Sequence, residues 1–291
     1  MKEITILSGK GGTGKTSVTA ALGSLAGNAV FCDNDVDAAD LHLIFQPEIN
    51  EAYTFSSGWN VTINTTKCTR CNSCLDYCRF DAIRTMSDGG FVIDPLKCEG
   101  CRLCERICPA NAILAEENKN NHWFVSSSRF GPLVHAKMGI GSENSGKLVT
   151  RVRQKAKEIA SGSDSRFIIN DGPPGIGCSA IASLSGIDAA LIVLEPSKSA
   201  LHDAQRLIEL IQSFKIEACA IINKYTINDA FTSQIEKYLE ILSIPVLAKL
   251  PFDKEMVLAM TEGKTIIEYN PESEISQKIT HVWEGLARKT G

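Results

Sequence analysis

Gly9-Lys10-Gly11-Gly12-Thr13-Gly14-Lys15-Thr16 is the stretch on which the fold of this chain turns. It follows an apolar, strand-like run over residues 4–8 and opens a helical pattern over residues 15–26. Glycine, four residues, then Gly-Lys-Thr is the spacing of a phosphate-binding loop. Its glycines let successive backbone amides converge on phosphate oxygens, and the helix N-terminus adds partial positive charge. In that geometry Lys15 holds the β- and γ-phosphates of a nucleotide, and the Thr16 hydroxyl meets Mg2+.

Outward from the loop, short apolar runs alternate with longer amphipathic ones. Strands are expected at residues 4–8, 29–33, 167–170, 189–194, 218–223 and 245–250, and helices near 15–26, 148–160, 200–214, 230–242 and 275–287. Runs apolar on both faces are those of parallel strands covered by helices on both sides. The alternation implies a doubly wound, mostly parallel α/β sheet, whose ligands bind at the carboxyl ends of its strands. Residues 117–147, rich in Ser, Asn and Gly, read as connection with a hairpin through Gly131-Pro132.

The strand ends carry acids and amides in order. Asp33-Asn34-Asp35-Val36-Asp37 closes the second strand, Asp171-Gly172-Pro173-Pro174-Gly175 the third, and Asn223-Lys224 a later one. Turn chemistry alone favours Asp and Asn at such places. With Lys10 placed ahead of Lys15, however, the whole set resembles the MinD/ParA/Mrp and nitrogenase iron protein superfamily of P-loop ATPases. That resemblance implies a homodimer on ATP, with Lys10 reaching the nucleotide held by the other subunit. It implies that Asp35 positions the attacking water and joins the Mg2+ shell, that Asp171 binds Mg2+ through water, and that the Gly175 amide senses the γ-phosphate. It assigns Asn223 to the adenine, with Pro251 and Phe252 on the adenine side. Cys178 stands seven residues after Asp171, where the nitrogenase iron protein carries a cluster-bridging cysteine, but an upstream companion is missing. A buried free thiol is the expectation there, as for Cys32 and Cys219.

Eight of the eleven cysteines fall between Cys68 and Cys108. They form an internal repeat with a period of 30: Cys68, Cys71, Cys74 and Cys78 are echoed by Cys98, Cys101, Cys104 and Cys108, and Ala82-Ile83 by Ala112-Ile113. Both runs read Cys-x2-Cys-x2-Cys-x3-Cys, the spacing of bacterial two-cluster ferredoxins. By that resemblance Cys68, Cys71, Cys74 and Cys108 hold one [4Fe-4S] cluster, and Cys78, Cys98, Cys101 and Cys104 hold the second. Zinc is the alternative, although zinc sites usually draw four ligands from two separated pairs. The repeat marks residues 57–116 as a small inserted α+β ferredoxin-like domain, leaving 1–56 and 117–291 to the P-loop ATPase domain.

Composition narrows the function classes. The chain has 291 residues, 44% hydrophobic and 22% charged, with 30 Lys+Arg against 34 Asp+Glu. These values exclude collagen, coiled coil and wholesale disorder. A near-balanced charge argues against a dedicated nucleic-acid binder. No apolar run reaches the ~20 residues of a membrane span, and Met1-Lys2-Glu3 leads straight into a strand, so a cytoplasmic protein is expected. Residues 67–116 hold seven Lys/Arg and seven Asp/Glu, so the cysteine module is neutral and offers no strong charge steering. The expected function is an ATP-hydrolysing iron–sulfur protein that couples nucleotide state to electron transfer with, or redox control of, a partner protein. The alternatives are an Fe–S carrier of the Mrp kind, a MinD-like positioning ATPase, and an amide-forming ligase of the cobyrinic acid synthase kind. They are weakened by the lone Cys219, by a tail helix without a basic face, and by the absence of an extra substrate domain, respectively.

Overall fold

The computed structural model describes residues 1–56, 58–139 and 145–289. They fall into two compact units. One comprises Met1–Ala52, Trp123–Lys137 and the chain from Ser145 onward; the other comprises Tyr53–His122 and a short segment beginning at Met138. The second unit thus reaches past residues 57 and 116 on both sides.

The first unit begins with β1 (Lys2–Ser8), α1 (Lys15–Leu25), β2 (Ala29–Asp33), α2 (Leu41–Phe45) and β3 (Glu48–Phe55). The second unit contributes β4 (Trp59–Ile63), α3 (Ser73–Asp76), β5 (Ile83–Thr85), β6 (Phe91–Ile93), α4 (Leu103–Arg106) and β7 (Ile113–Glu117). The chain then resumes the large sheet with β8 (Asn121–Ser128) and β9 (Gly131–Lys137), followed by α5 (Ser145–Gly162), β10 (Phe167–Pro174) and α6 (Cys178–Leu184). It ends with β11 (Ala189–Leu194), α7 (Lys198–Ser213), β12 (Glu217–Asn223), α8 (Asp229–Ile241), β13 (Val246–Leu250), α9 (Lys254–Thr261), α10 (Ile266–Tyr269) and α11 (Glu274–Lys289).

The large sheet has nine strands in the order β13-β12-β11-β1-β10-β2-β9-β8-β3. From β13 to β9 every pair is parallel. β2 is buried throughout, and β1 and β10 are buried except at one end each, because helices cover both faces of the sheet. α11 lays Ile275, Ile279, Val282 and Leu286 on one face, the i, i+4, i+7, i+11 stripe of an amphipathic helix. α7 covers the other face with Ala204, Leu207, Ile208 and Ile211. The register pairs Ile6 with Asp171 and Asp171 with Asp33, so the ends of β1, β10 and β2 share one edge of the sheet.

Three expectations are corrected. Residues 121–137 are no mere connection: β8 and β9 extend the sheet, with Trp123, Val125, Leu133 and Val134 buried. The hairpin turns through Arg129-Phe130, and Gly131 already belongs to β9. β10 runs on to Pro174, which places Asp171 within the strand, where Asn34 N–H donates to the Asp171 carbonyl at 2.8 Å. The alternation of β8 was obscured because its buried positions include Asn121 and Ser126 beside the apolar ones.

In the second unit the sequence repeat is also a backbone repeat. β4 pairs antiparallel with β7, and β5 with β6. Left-handed φ values recur 30 residues apart at Arg70 and Gly100 (58° and 59°), Asn72 and Arg102 (65° and 62°), and Asp81 and Asn111 (49° and 48°). Left-handed residues at alternate positions curl each cysteine loop back on itself. At Gly100 a side chain would meet the Trp59 backbone at 2.9 Å, which explains the glycine where the first loop has Arg70.

Candidate functional site

The phosphate loop lies between the end of β1 and the start of α1. Gly14 caps α1 with φ +89°, and a Cβ there would collide with Asn223 Nδ2, so two constraints select glycine. Side chains at Gly11 and Gly12 would meet nothing within 4 Å, so this part of the loop faces open space. Among the described residues, the amides from Gly11 to Thr16 donate to no protein acceptor. Thr13 Oγ1 and both amide atoms of Asn34 are buried without a partner. Unused amides beside orphaned buried polar groups form a site for a polar, anionic ligand.

Asp171 organises the floor. Its carboxylate accepts from Lys15 Nζ (2.8 Å), Thr16 Oγ1 (2.7 Å) and Thr19 Oγ1 (2.8 Å), and it is fully buried. Lys15 also stands 3.7 Å from Asp35 Oδ2. Burial alone would lower the Lys15 pKa, but Asp171, Asp35 and Asp33 outweigh it and hold the ammonium above its ordinary value. Asp33 accepts from the amides of Asp35 (3.2 Å) and Leu41 (3.1 Å), so it ties down both ends of the loop that presents Asp35. Burial, reinforced by Asp171, pushes the Asp33 carboxyl well above the carboxylate range. Burial also raises Asp35, to about 6, against the pull of Lys15. The Asp171 and Asp35 carboxyls thus stand beside the Lys15 ammonium at the open loop.

The remaining nucleotide-site candidates divide. Asn223 is buried and donates from Nδ2 to the Thr13 carbonyl at 2.7 Å, bracing the loop directly. The Gly175 amide donates to the Ser8 carbonyl at 2.9 Å, a partner other than the phosphate expected for it. Phe252 is exposed at the end of β13, with its amide donating to Thr226 Oγ1. Lys10 pairs with Glu195 at 2.6 Å. Sequence reading missed Thr19 and Glu195, and it gave Lys224 no role beyond its place after Asn223. Glu195 was findable, because it follows β11 as Asp33 ends β2, and strand ends are where ligands gather in such sheets.

The cysteines assemble in the second unit. Cys78, Cys98, Cys101 and Cys104 line one cavity of about 260 Å3, together with Tyr77 and Phe80. Cys68, Cys71, Cys74 and Cys108 line a narrower one beside Ile63 and Phe91. The apolar core here is small (Val61, Ile83, Phe91 and Ile113 with Cys74), and five further cysteines pack around it. Burial pushes the Cys104 thiol up to about 11, and those of Cys74 and Cys98 upward as well. Among the described residues, no three His, Cys, Asp or Glu groups stand together as ligands of a single ion. Cys32 and Cys219 are buried as expected, but Cys178 is exposed, because it opens α6 at the surface.

Comparison with known proteins adds three findings. The family model described as the CobQ/CobB/MinD/ParA nucleotide binding domain matches residues 4–266. An uncharacterized protein of Methanocaldococcus jannaschii is 32% identical over 289 residues, covering 98% of this chain and 96% of the relative; the septum site-determining protein MinD of Synechocystis is 24% identical over 272 residues, covering 91% and 81%. Among solved structures, MinD of Pyrococcus horikoshii complexed with Mg-ADP superposes with a TM-score of 0.61 at 20% identity, covering 100% of this chain and 97% of that one.

Proposed function

The chain belongs to the CobQ/CobB/MinD/ParA family of nucleotide-binding domains, and from that premise we propose that it is an Mg2+-dependent ATPase whose nucleotide state governs an iron–sulfur redox module. Support for the first half lies in the family match and in the cluster of Lys15, Thr16 and Asp171 at the open loop. One observation carries the second half: the two cysteine quartets expected to bind separate clusters each line their own cavity.

ATP binding would direct the unused loop amides to phosphate oxygens, with Lys15 transferring its contact from Asp171 to the β- and γ-phosphates. Thr16, Asp171 and Asp35 would hold Mg2+, which offsets phosphate charge when bound. Hydrolysis is in-line: the water oxygen bonds to the γ-phosphorus as the bridging β,γ P–O bond breaks, yielding ADP and phosphate, and the water proton departs to solvent. Asp35, ionised, would orient that water. MinD-like proteins pair on ATP binding, and a second copy would supply Lys10 to the same phosphates.

Two [4Fe-4S] clusters would sit on Cys68, Cys71, Cys74 and Cys108, and on Cys78, Cys98, Cys101 and Cys104, supplying one-electron transfer. Supporting this reading, the cavities are lined by four thiols each, and the Ala112 amide donates to Cys108 Sγ at 3.3 Å, a contact of the kind that tunes thiolate ligands. The partner would be a redox protein that exchanges electrons with this module.

The test is anaerobic purification with iron and sulfide counting, followed by spectra with and without Mg·ATP. About eight irons per chain and a nucleotide-dependent change in the cluster signal are expected. Zinc in place of iron overturns the redox reading, and undiminished hydrolysis in Lys15→Ala overturns the ATPase reading.

A further inference from the structure

The ends of β11 and β12 carry charges that the proposed hydrolysis leaves unused. Glu195 Oε1 meets Lys10 Nζ at 2.6 Å, and its Oε2 meets Lys224 Nζ at 3.3 Å. Lys10 Nζ also donates to Ser197 Oγ at 3.2 Å and to Ser199 Oγ at 3.3 Å. Lys224 donates to the Gly12 carbonyl at 2.7 Å. A lysine ammonium has three donors, and Lys10 has committed all three inside its own chain. The Glu195 carboxylate is the anion that holds it. Its side chain is 17% exposed, and although burial alone would raise its pKa, the two lysines hold it below the ordinary carboxylate value.

We propose that Glu195 is an internal latch on Lys10 that sets the nucleotide concentration at which two copies of this chain pair. The proposal rests on the reading above, in which Lys10 of one copy meets the nucleotide of the other. An ammonium committed to a carboxylate and two hydroxyls reaches a partner's phosphate only by leaving them. Pairing therefore exchanges one anion for another, and the strength of the Glu195 contact enters the pairing equilibrium directly. Replacing the carboxylate by an amide keeps its shape and removes the charge. Lys224 acts differently, because its contact with the Gly12 carbonyl supports the loop whether or not copies pair.

The experiment uses the full chain with Mg2+ and a slowly hydrolysed ATP analogue, and follows pairing by light scattering. Glu195→Gln is expected to lower the analogue concentration at half-maximal pairing about 2- to 5-fold, the strength of a partly exposed ion pair. The affinity of fluorescent ADP for the single chain is measured beside it, and the latch requires that the pairing midpoint fall by more than any change in ADP affinity. Ser199→Ala should shift the midpoint in the same direction by less, and it supplies an independent variant if Glu195→Gln fails to fold. Adding Lys10→Ala to Glu195→Gln should remove pairing altogether. An unchanged or raised midpoint in both variants, or one that falls only in step with ADP affinity, overturns the latch. A wild-type chain that binds the analogue and stays single overturns the dimer reading beneath it as well.

Discussion

At Asp35 the same burial that raises the carboxyl to about 6 makes ionisation unfavourable in the folded, nucleotide-free protein. Its folded pKa lies above the ordinary 3.8, so its contribution to stability is full below pH ~4 and is lost as pH rises through about 6. Asp35→Asn should therefore flatten the decline in melting temperature between pH 4 and 7, as scanning calorimetry across that range would show; an undiminished slope would assign the decline to another group. Gly14 makes a second prediction. Alanine there must adopt φ +89° and displace Asn223 Nδ2, so Gly14→Ala should cost about 1–3 kcal/mol in urea unfolding and weaken ADP binding. Both residues stand inside motifs legible in the sequence, yet their reasons differ. The glycine spacing announces the loop, whereas the Asp35 shift arises from burial, with Asp171 and Asp37 adding to it and Lys15 opposing it, and that burial exists only once the strands align.

Among the elements, the strands from β1 to β13 that are apolar on both faces were readable, because burial on two sides leaves a continuous hydrophobic signature. β3, β8 and β9 were not, because they form the flank of the sheet and mix exposed or polar positions into every turn of the pattern; β3 is exposed along nearly its whole length. Arg129, in the β8–β9 turn, holds that flank to its neighbours by donating to the carbonyls of Ile44 (3.0 Å) and Gly263 (2.9 Å) and pairing with Glu268 at 2.9 Å. Arg129→Ala should lower unfolding stability by about 1–2 kcal/mol, and an unchanged denaturation midpoint would show these contacts to be dispensable. In the cysteine repeat, Cys104→Ala should remove about half of the iron while ADP binding persists, because its quartet serves only one cavity. Loss of all iron would mean that the two sites assemble as one.

For the molecule as a whole, the two units rest on different kinds of stability. The large sheet buries extensive clusters on both faces. Among the described residues the main apolar cluster of the cysteine unit has five buried members, one of them a thiol, and a core that small usually requires a metal or a cross-link. Two thermal transitions are therefore expected in the cluster-bearing protein. Mg·ADP at about a hundred times its Kd should add about 2.7 kcal/mol to the sheet unit alone, and iron chelation should abolish the other transition. A single transition insensitive to chelation would refute that division. Among the described residues no helix is long and apolar enough to cross a membrane. The sequence by itself determined the local chemistry: a glycine-spaced phosphate loop, acids after strands and a 30-residue cysteine repeat, all set by spacing along the chain. Only the tertiary structure decided what those groups face. Sheet register brings Asp171 beside Asp33, packing ties Asn223 to Thr13, and β11 delivers Glu195 to Lys10. Such contacts join residues up to 210 positions apart, and no local pattern encodes which strand becomes whose neighbour.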